Sequence, residues 1–242
     1  MRENERTVVV GDPAALGAVA TRRSFLRALG MGGSIVLLPS VFAACDDATS
    51  SLVSPDVQSR VASAQPVVLN LNTDVGILNY AYALEQLEAA FYTQVVATAG
   101  YATRFSDSER RILTNLRDHE IVHREFLKAA LGTAAIPALS VDFSSVNFTS
   151  RTSVLQTAQA FEDLGVGAYN GAAKYLRSAT FLTLAGKIVS VEARHASAIR
   201  AVLAGNRTAA FAPDAFDPAF APSQVLAAAD PFIVQNITVI NA

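Results

Sequence analysis

At 242 residues and 51% apolar side chains, the chain has the length for one domain plus appendages and enough apolar surface for a sizeable core. A formal net charge of −2 implies no large basic surface, so no nucleic-acid partner is expected. The single cysteine, Cys45, excludes internal disulfides, thiolate metal clusters and rubredoxin-type iron sites, and abundant Ala and Leu without Trp lean towards helix.

The first segment reads as an address and not as fold. Thr21-Arg22-Arg23-Ser24-Phe25-Leu26-Arg27 resembles the twin-arginine export motif. A modestly apolar stretch follows from Ala28 to Phe42, broken by Gly30, Gly32 and Gly33 and too short to make a convincing spanning helix. It ends in Phe42-Ala43-Ala44-Cys45, which looks like a lipobox with Phe42 in place of the usual Leu. Residues 1–45 are therefore expected to be a twin-arginine signal peptide, with Cys45 as the lipidation position. Residues 46–72 are expected to be a tether, and Asp46 to Ser63 is rich in Ser, Asp and Ala. The expected location is the extracytoplasmic side, in the periplasm or anchored to the membrane through an N-terminal lipid. The export machinery is then a partner. Such a leader implies a prokaryotic-type system, so the Asn-x-Thr triplets at Asn147, Asn206 and Asn236 read as chance.

Pro66 to Asn72 alternates weakly, as a short strand or an extended lead-in. A first helix is predicted from about Asp74, its N-cap, to about Ala99 before Gly100, with an inward face of Leu78, Ala81, Glu85, Glu88, Tyr92 and Val95. After a short connection, Ser106-x-x-Glu109 is a capping box that opens a second helix, ending at Leu131-Gly132. Residues 132–152 form a long link with Val141, Phe143, Val146 and Phe148 interleaved, as a crossover along a bundle would need. A third helix opens near Thr152 or Ser153 and presents Leu155, Ala158, Glu162, Gly165 and Tyr169 inward. A break near Arg177 to Thr180 leads to a fourth helix ending at Ala204-Gly205. From Asn206 to Ala242 the chain alternates Pro213, Pro218, Pro222 and Pro231 with Phe211, Phe216, Phe220 and Phe232, and only Ser223 to Ala229 looks helical. That tail, 206–242, is read as an arm packing its aromatics on the bundle.

Two helical hairpins joined by one long crossover make an all-α, ferritin-like four-helix bundle over residues 73–205. The halves repeat: Glu85 and Tyr92 are seven apart, as are Glu162 and Tyr169, and each of these helices precedes a Glu-x-x-His helix, Glu120/His123 and Glu192/His195. A Glu and a His three apart leave the same helix face. Four core-facing glutamates with no Lys or Arg on their stripes would be costly to bury unpaired, and two divalent cations would cancel them. Glu120 and Glu192 sit where they could bridge both ions, Glu85 and Glu162 would be terminal, and His123 and His195 complete the set. Carboxylate-rich sites with one imidazole per ion suit Fe or Mn better than Cu and leave Zn open. Glu88, one turn from Glu85, reads either as a seventh, mobile carboxylate or as a rim residue. Tyr92 and Tyr169 read either as hydrogen-bond partners of the opposite half's ligands or as plain core aromatics. His119, offset from the inward stripe, reads as a surface histidine.

Residues 74 to 205 resemble the ferritin-like superfamily. Leu84-Glu85-Gln86-Leu87-Glu88-Ala89-Ala90-Phe91-Tyr92, Phe161-Glu162-Asp163-Leu164-Gly165-Val166-Gly167-Ala168-Tyr169 and Val191-Glu192-Ala193-Arg194-His195-Ala196, with the leader, are similar to the exported ferritin-like group related to desiccation-associated proteins. The resemblance implies a di-iron or di-manganese centre on Glu85, Glu120, His123, Glu162, Glu192 and His195. It leaves the catalytic residues unknown and the activity open among iron-oxidising, peroxidase-like, manganese-catalase-like and no known reaction. The expectation is a di-metal protein acting on a small oxidant, oxygen or peroxide, in stress protection. The alternative is a structural or surface-interaction protein whose metals only brace the bundle.

Overall fold

The computed structural model describes residues 66–205 and 211–241. The expected signal peptide with Arg22, Arg23 and Cys45, most of the expected tether and residues 206–210 of the tail lie outside the described residues. Among the described residues no helix is long and apolar enough to cross a membrane.

A short strand, β1 (Val67–Asn70), precedes the first long helix, α1 (Asp74–Ala97). Its N-cap is Thr73, whose hydroxyl accepts from Gly76 N, and not the expected Asp74. Asp74 instead accepts from the backbone N–H groups of Arg177 and Ser178 at 2.8 and 3.0 Å, which ties the start of α1 to a distant connection. A single turn, α2 (Tyr101–Arg104), fills the link to α3 (Asp107–Leu131). Ser106 and Glu109 form the reciprocal capping box that opens α3. Glu109 also takes the guanidinium of Arg151, in the first turn of α4 (Arg151–Ala172), whose N-cap is Ser150. The fourth long helix, α5 (Ala179–Leu203), is capped by Ser178. A short helix, α6 (Pro222–Ala229), and a strand, β2 (Ile237–Ile240), complete the chain.

The main contacts pair α1 with α3 and α4 with α5, so two hairpins make the bundle. Helix α1 is buried over most of its circumference, because the crossover after α3 lies across its outer side. Asn79 holds that crossover by donating to Ala134 O and accepting from Ile136 N, both at 2.8 Å, and Gln86 accepts from Leu139 N at 2.8 Å. Phe143, Val146 and Phe148 of the crossover are buried, and Phe143 and Phe148 pack their rings against Phe91 of α1. These apolar residues are why so long a link stays ordered.

The tail departs from its sequence reading. Phe232 packs edge-on against Phe161 with centroids 4.9 Å apart, and Phe220 lies on α4, but Phe211 and Phe216 are exposed. Only the first pair sits where the tail makes backbone bonds to the body of the fold: Phe220 N donates to Gly167 O at 2.9 Å, and Phe232 O accepts from Asp142 N at 3.0 Å. Residues 237–240 form β2, parallel to β1 with Val67 opposite Ile237. Val67, Leu69 and Leu71 are buried, so the expected tether ends before Val67 and the following residues belong to the fold.

Candidate metal centre

Four helices each bring one glutamate to the same buried place. Glu85 of α1, Glu120 of α3, Glu162 of α4 and Glu192 of α5 are all 0% exposed. His123 and His195, one turn beyond Glu120 and Glu192, are also buried. These side chains form two groups that could each hold a metal ion. One is Glu85, Glu120, His123 and Glu192; the other is Glu120, Glu162, Glu192 and His195; within each, the ligand atoms lie within 4.8 Å of one another. Glu120 and Glu192 belong to both. Glu88 belongs to neither.

The two groups mirror each other across the hairpins. His123 Nδ1 is 2.8 Å from Glu192 Oε1, 3.2 Å from Glu120 Oε2 and 3.4 Å from Glu85 Oε2. His195 Nδ1 is 2.8 Å from Glu120 Oε1, 3.2 Å from Glu192 Oε2 and 3.4 Å from Glu162 Oε2. The tyrosines are crossed in the same way. Tyr92 donates to Glu162 Oε1 at 2.5 Å, and Tyr169 donates to Glu85 Oε1 at 2.6 Å. Each phenol fixes one oxygen of a carboxylate on the other hairpin and leaves the second oxygen facing inward.

Those inward oxygens test whether the donor set suits a cation. Glu85 Oε2, Glu120 Oε1, Glu162 Oε2 and Glu192 Oε1 are buried and make no hydrogen bond. Each lies 2.8 to 3.4 Å from an imidazole Nδ1 without hydrogen-bond geometry to it. Buried carboxylate oxygens are rarely left orphaned. Here the oxygens and two imidazole nitrogens converge on shared points, as ligands of a hard or borderline cation would. The residues fit metal ions.

Without cations, protons must balance the charge. Burial pushes the Glu120 carboxyl well above the usual carboxylate range, and the neighbouring Glu192 charge adds to this. Burial likewise raises Glu162, to about 7. Burial would also raise Glu192, but the adjoining imidazoles of His123 and His195 bring it down to about 2. Burial alone would depress His195; the carboxylates of Glu120, Glu162 and Glu192 beside it carry it up to about 12. His123 is raised against its own burial by Glu85, Glu120 and Glu192. The cluster thus holds protons where cations would sit, with the imidazoles charged and part of the carboxylates neutral.

A family model described as ferritin-like domain matches residues 73–205. The chain belongs to the ferritin-like domain family. No curated protein matches the chain. The family membership and the buried Glu/His groups together establish a ferritin-like bundle with a cluster that could hold metal ions.

Four neighbours of the ferritin-like cluster differ from their sequence readings or decide between them. Glu88 is 4% exposed, so it is not at a rim. Its Oε1 lies 3.0 Å from where a Cβ of residue 165 would be, so Gly165 makes the room for it. Burial, with the charges of Glu120, Glu162, Glu192 and Glu85, holds the Glu88 carboxyl well above its ordinary range. Tyr92 and Tyr169 are partners of the opposite half and not plain core aromatics. His119 is solvent-accessible as expected, yet its Nδ1 lies 2.8 Å from His195 Nε2. The helical-stripe argument missed this contact because it treats each helix alone; His119 points sideways, to the helix next door.

Proposed function

We propose that this ferritin-like protein is exported, holds two Fe or Mn ions on Glu85, Glu120, His123, Glu162, Glu192 and His195, and carries out redox chemistry on oxygen or peroxide in a protective role. The observation that carries the reading is the sharing of Glu120 and Glu192 between two otherwise separate Glu/His groups, which is the arrangement a two-ion centre needs. When bound, such ions supply one-electron redox steps and Lewis acidity.

The chain's own residues supply the rest. Glu85 and Glu162 are terminal carboxylates, each oriented by a phenol from the other hairpin. Glu120 and Glu192 lie between the two positions. Burial of the whole set excludes bulk water and strengthens every charge interaction within it. Burial holds the Glu88 carboxyl beside the cluster above its ordinary range, which suits a group that takes up and releases protons there. A cavity of about 30 Å³ is lined by Leu84, Leu127 and Ile188 among others and by Tyr169, the phenol that bonds Glu85. Leu84 adjoins Glu85, Leu127 is one turn from His123, and Ile188 is one turn before Glu192.

Export is supported by the sequence order of Arg22-Arg23, apolar stretch and Cys45, and the twin-arginine route carries folded proteins. It suits a protein that must load metal before it leaves the cytoplasm.

The test is elemental analysis of the protein isolated from its native compartment, followed by anaerobic reduction and exposure to oxygen or peroxide under optical observation. About two Fe or Mn per chain with a near-ultraviolet change on oxidation is the expected outcome. Absence of Fe, Mn and Zn would sink the site. Zn alone, or bound ions indifferent to oxidant, would leave only the structural reading in which the ions brace the bundle.

A further inference from the structure

The two halves of the cluster match at every ligand and at both tyrosines, but not at His119. The residue before Glu120 is His119, and the residue before Glu192 is Val191. His119 Nδ1 is 2.8 Å from His195 Nε2, and the two rings stack with centroids 5.1 Å apart and an interplanar angle of 16°. Val191 has no polar atom in its side chain with which to do the same.

The direction of this hydrogen bond follows from the other side of His195. Its Nδ1 faces Glu120, Glu192 and Glu162, the face where an ion would be held. A neutral imidazole that offers Nδ1 as a lone pair carries its hydrogen on Nε2. His195 Nε2–H therefore donates, and His119 Nδ1 accepts. An acceptor on the far nitrogen fixes both the tautomer and the ring orientation of a metal-binding histidine and increases its basicity.

We propose that His119 is a positioning residue that makes the two ion positions unequal, by locking His195 as an Nδ1 donor and tightening the position formed by Glu120, Glu162, Glu192 and His195. The inference rests on the two-ion reading above. The position formed by Glu85, Glu120, His123 and Glu192 has the apolar Val191 at the place equivalent to His119 and is the weaker of the two. The inequality also sets an order of filling: the His195 position first, the His123 position second. A centre that fills in order passes through a defined one-ion state.

Mn²⁺ titration of the full chain, stripped of metal, tests this, with free Mn²⁺ counted by its paramagnetic resonance signal. His119→Phe keeps a flat ring for stacking and removes the acceptor. His119→Asn restores an acceptor close to the position of Nδ1. Wild type is expected to bind two ions in separate steps. In His119→Phe the tighter step should weaken about tenfold and approach the other, whereas His119→Asn should stay close to wild type. Helical content of each apo variant by circular dichroism shows that the bundle persists, and His119→Ala serves if the Phe variant does not fold. Two equal steps in wild type, or a His119→Phe titration indistinguishable from it, would overturn the role of His119. So would His119→Asn weakening as much as His119→Phe, because the contact would then act by packing. A wild-type protein that binds no Mn²⁺, Fe²⁺ or Zn²⁺ would instead overturn the two-ion reading itself.

Discussion

The hydroxyl of Tyr92 lies 2.5 Å from Oε1 of Glu162, a residue on the other hairpin, and this crossed pair orients a carboxylate that its own helix leaves unsupported. Both groups are buried, so the bond is made where water cannot replace it. Tyr92→Phe should cost about 1–3 kcal/mol of stability, the range for leaving a buried acceptor without its donor. The mirror variant, Tyr169→Phe, should cost a similar amount through Glu85. Urea unfolding of the metal-free variants measures both. If the two tyrosines are plain core aromatics, removing an oxygen from each will leave the unfolding midpoint unchanged.

The metal-free protein should lose stability as pH rises from about 4.5 to 7. Glu162 is held at about 7 in the fold against an ordinary value of 4.5, so the folded state favours its protonated form. A raised folded value stabilises below the unfolded value and ceases to do so as pH climbs through the folded one. Glu120 and Glu88 act in the same direction. Glu192, at about 2, contributes stability above its ordinary range and loses it only in stronger acid. The raised value of His195 adds stability that is full below 6.5 and is lost steadily as pH rises from there towards 12. With metal bound the slope should reverse over the same window, because protons compete with the ions for the same oxygens. Thermal melts with chelator and with added Mn²⁺ should therefore diverge as pH rises. Parallel curves would mean that the carboxylates and the ions do not share a site.

Substitutions at the ligands separate charge from coordination. Glu120→Gln should weaken metal binding while sparing the metal-free bundle, since Gln resembles the protonated carboxyl that burial already favours there. His123→Ala should weaken binding and also destabilise the metal-free form, because it removes a positive group facing Glu85, Glu120 and Glu192. Chelated and metal-loaded melts of both variants provide the comparison. Equal losses in the two metal-free variants would contradict the charge balance described above.

Gly171→Ala tests the tail. Replacing a helix-interior Gly by Ala ordinarily stabilises by about 1 kcal/mol. Here the new methyl would sit 1.8 Å from the carbonyl oxygen of Phe220, and at Gly167 it would sit 2.2 Å from the Phe220 ring. Either substitution should push residues 218–222 off α4 and lower stability by about 1–3 kcal/mol, as overpacking does. Limited proteolysis should then cut the tail faster than in wild type. Stabilisation by Gly171→Ala would show that the tail does not lie on α4.

Export is tested through the leader alone. Replacing Arg22 and Arg23 together by Lys should hold the protein in the cytoplasm, because a receptor reads the pair. Cys45→Ser should abolish fatty-acid labelling without affecting transport. Normal export of the double Lys variant would mean that this stretch is no twin-arginine address.

The helices were legible because their signals are local. Ser106 and Glu109 announce the start of α3, and Glu120 with His123 share one face by spacing alone. Four inward glutamates repeated in the same order were enough to place the cluster. What the sequence hid depends on neighbours. Asp74 looks like a cap, but its carboxylate is taken by Arg177 and Ser178 a hundred residues on, and Thr73 caps instead. Weak alternation left β1 open as a short strand or a lead-in, β2 went unread within the tail, and the pairing of the two is remote in sequence. The glycines of α4 look like defects until Glu88 and Phe220 occupy the spaces they leave.

The pairing of β1 with β2 bears on when the protein can finish folding. Val67 emerges from the ribosome long before Ile237, and until Ile237 to Ile240 are synthesised the first strand has no mate. The buried side chains of Val67, Leu69 and Leu71 then lack their final cover. Completion of the domain therefore waits until residues 237–240 have been synthesised and can pair with the first strand. A nascent fragment that stops short leaves the first strand unpaired beside the start of α1, a mark by which unfinished copies differ from finished ones.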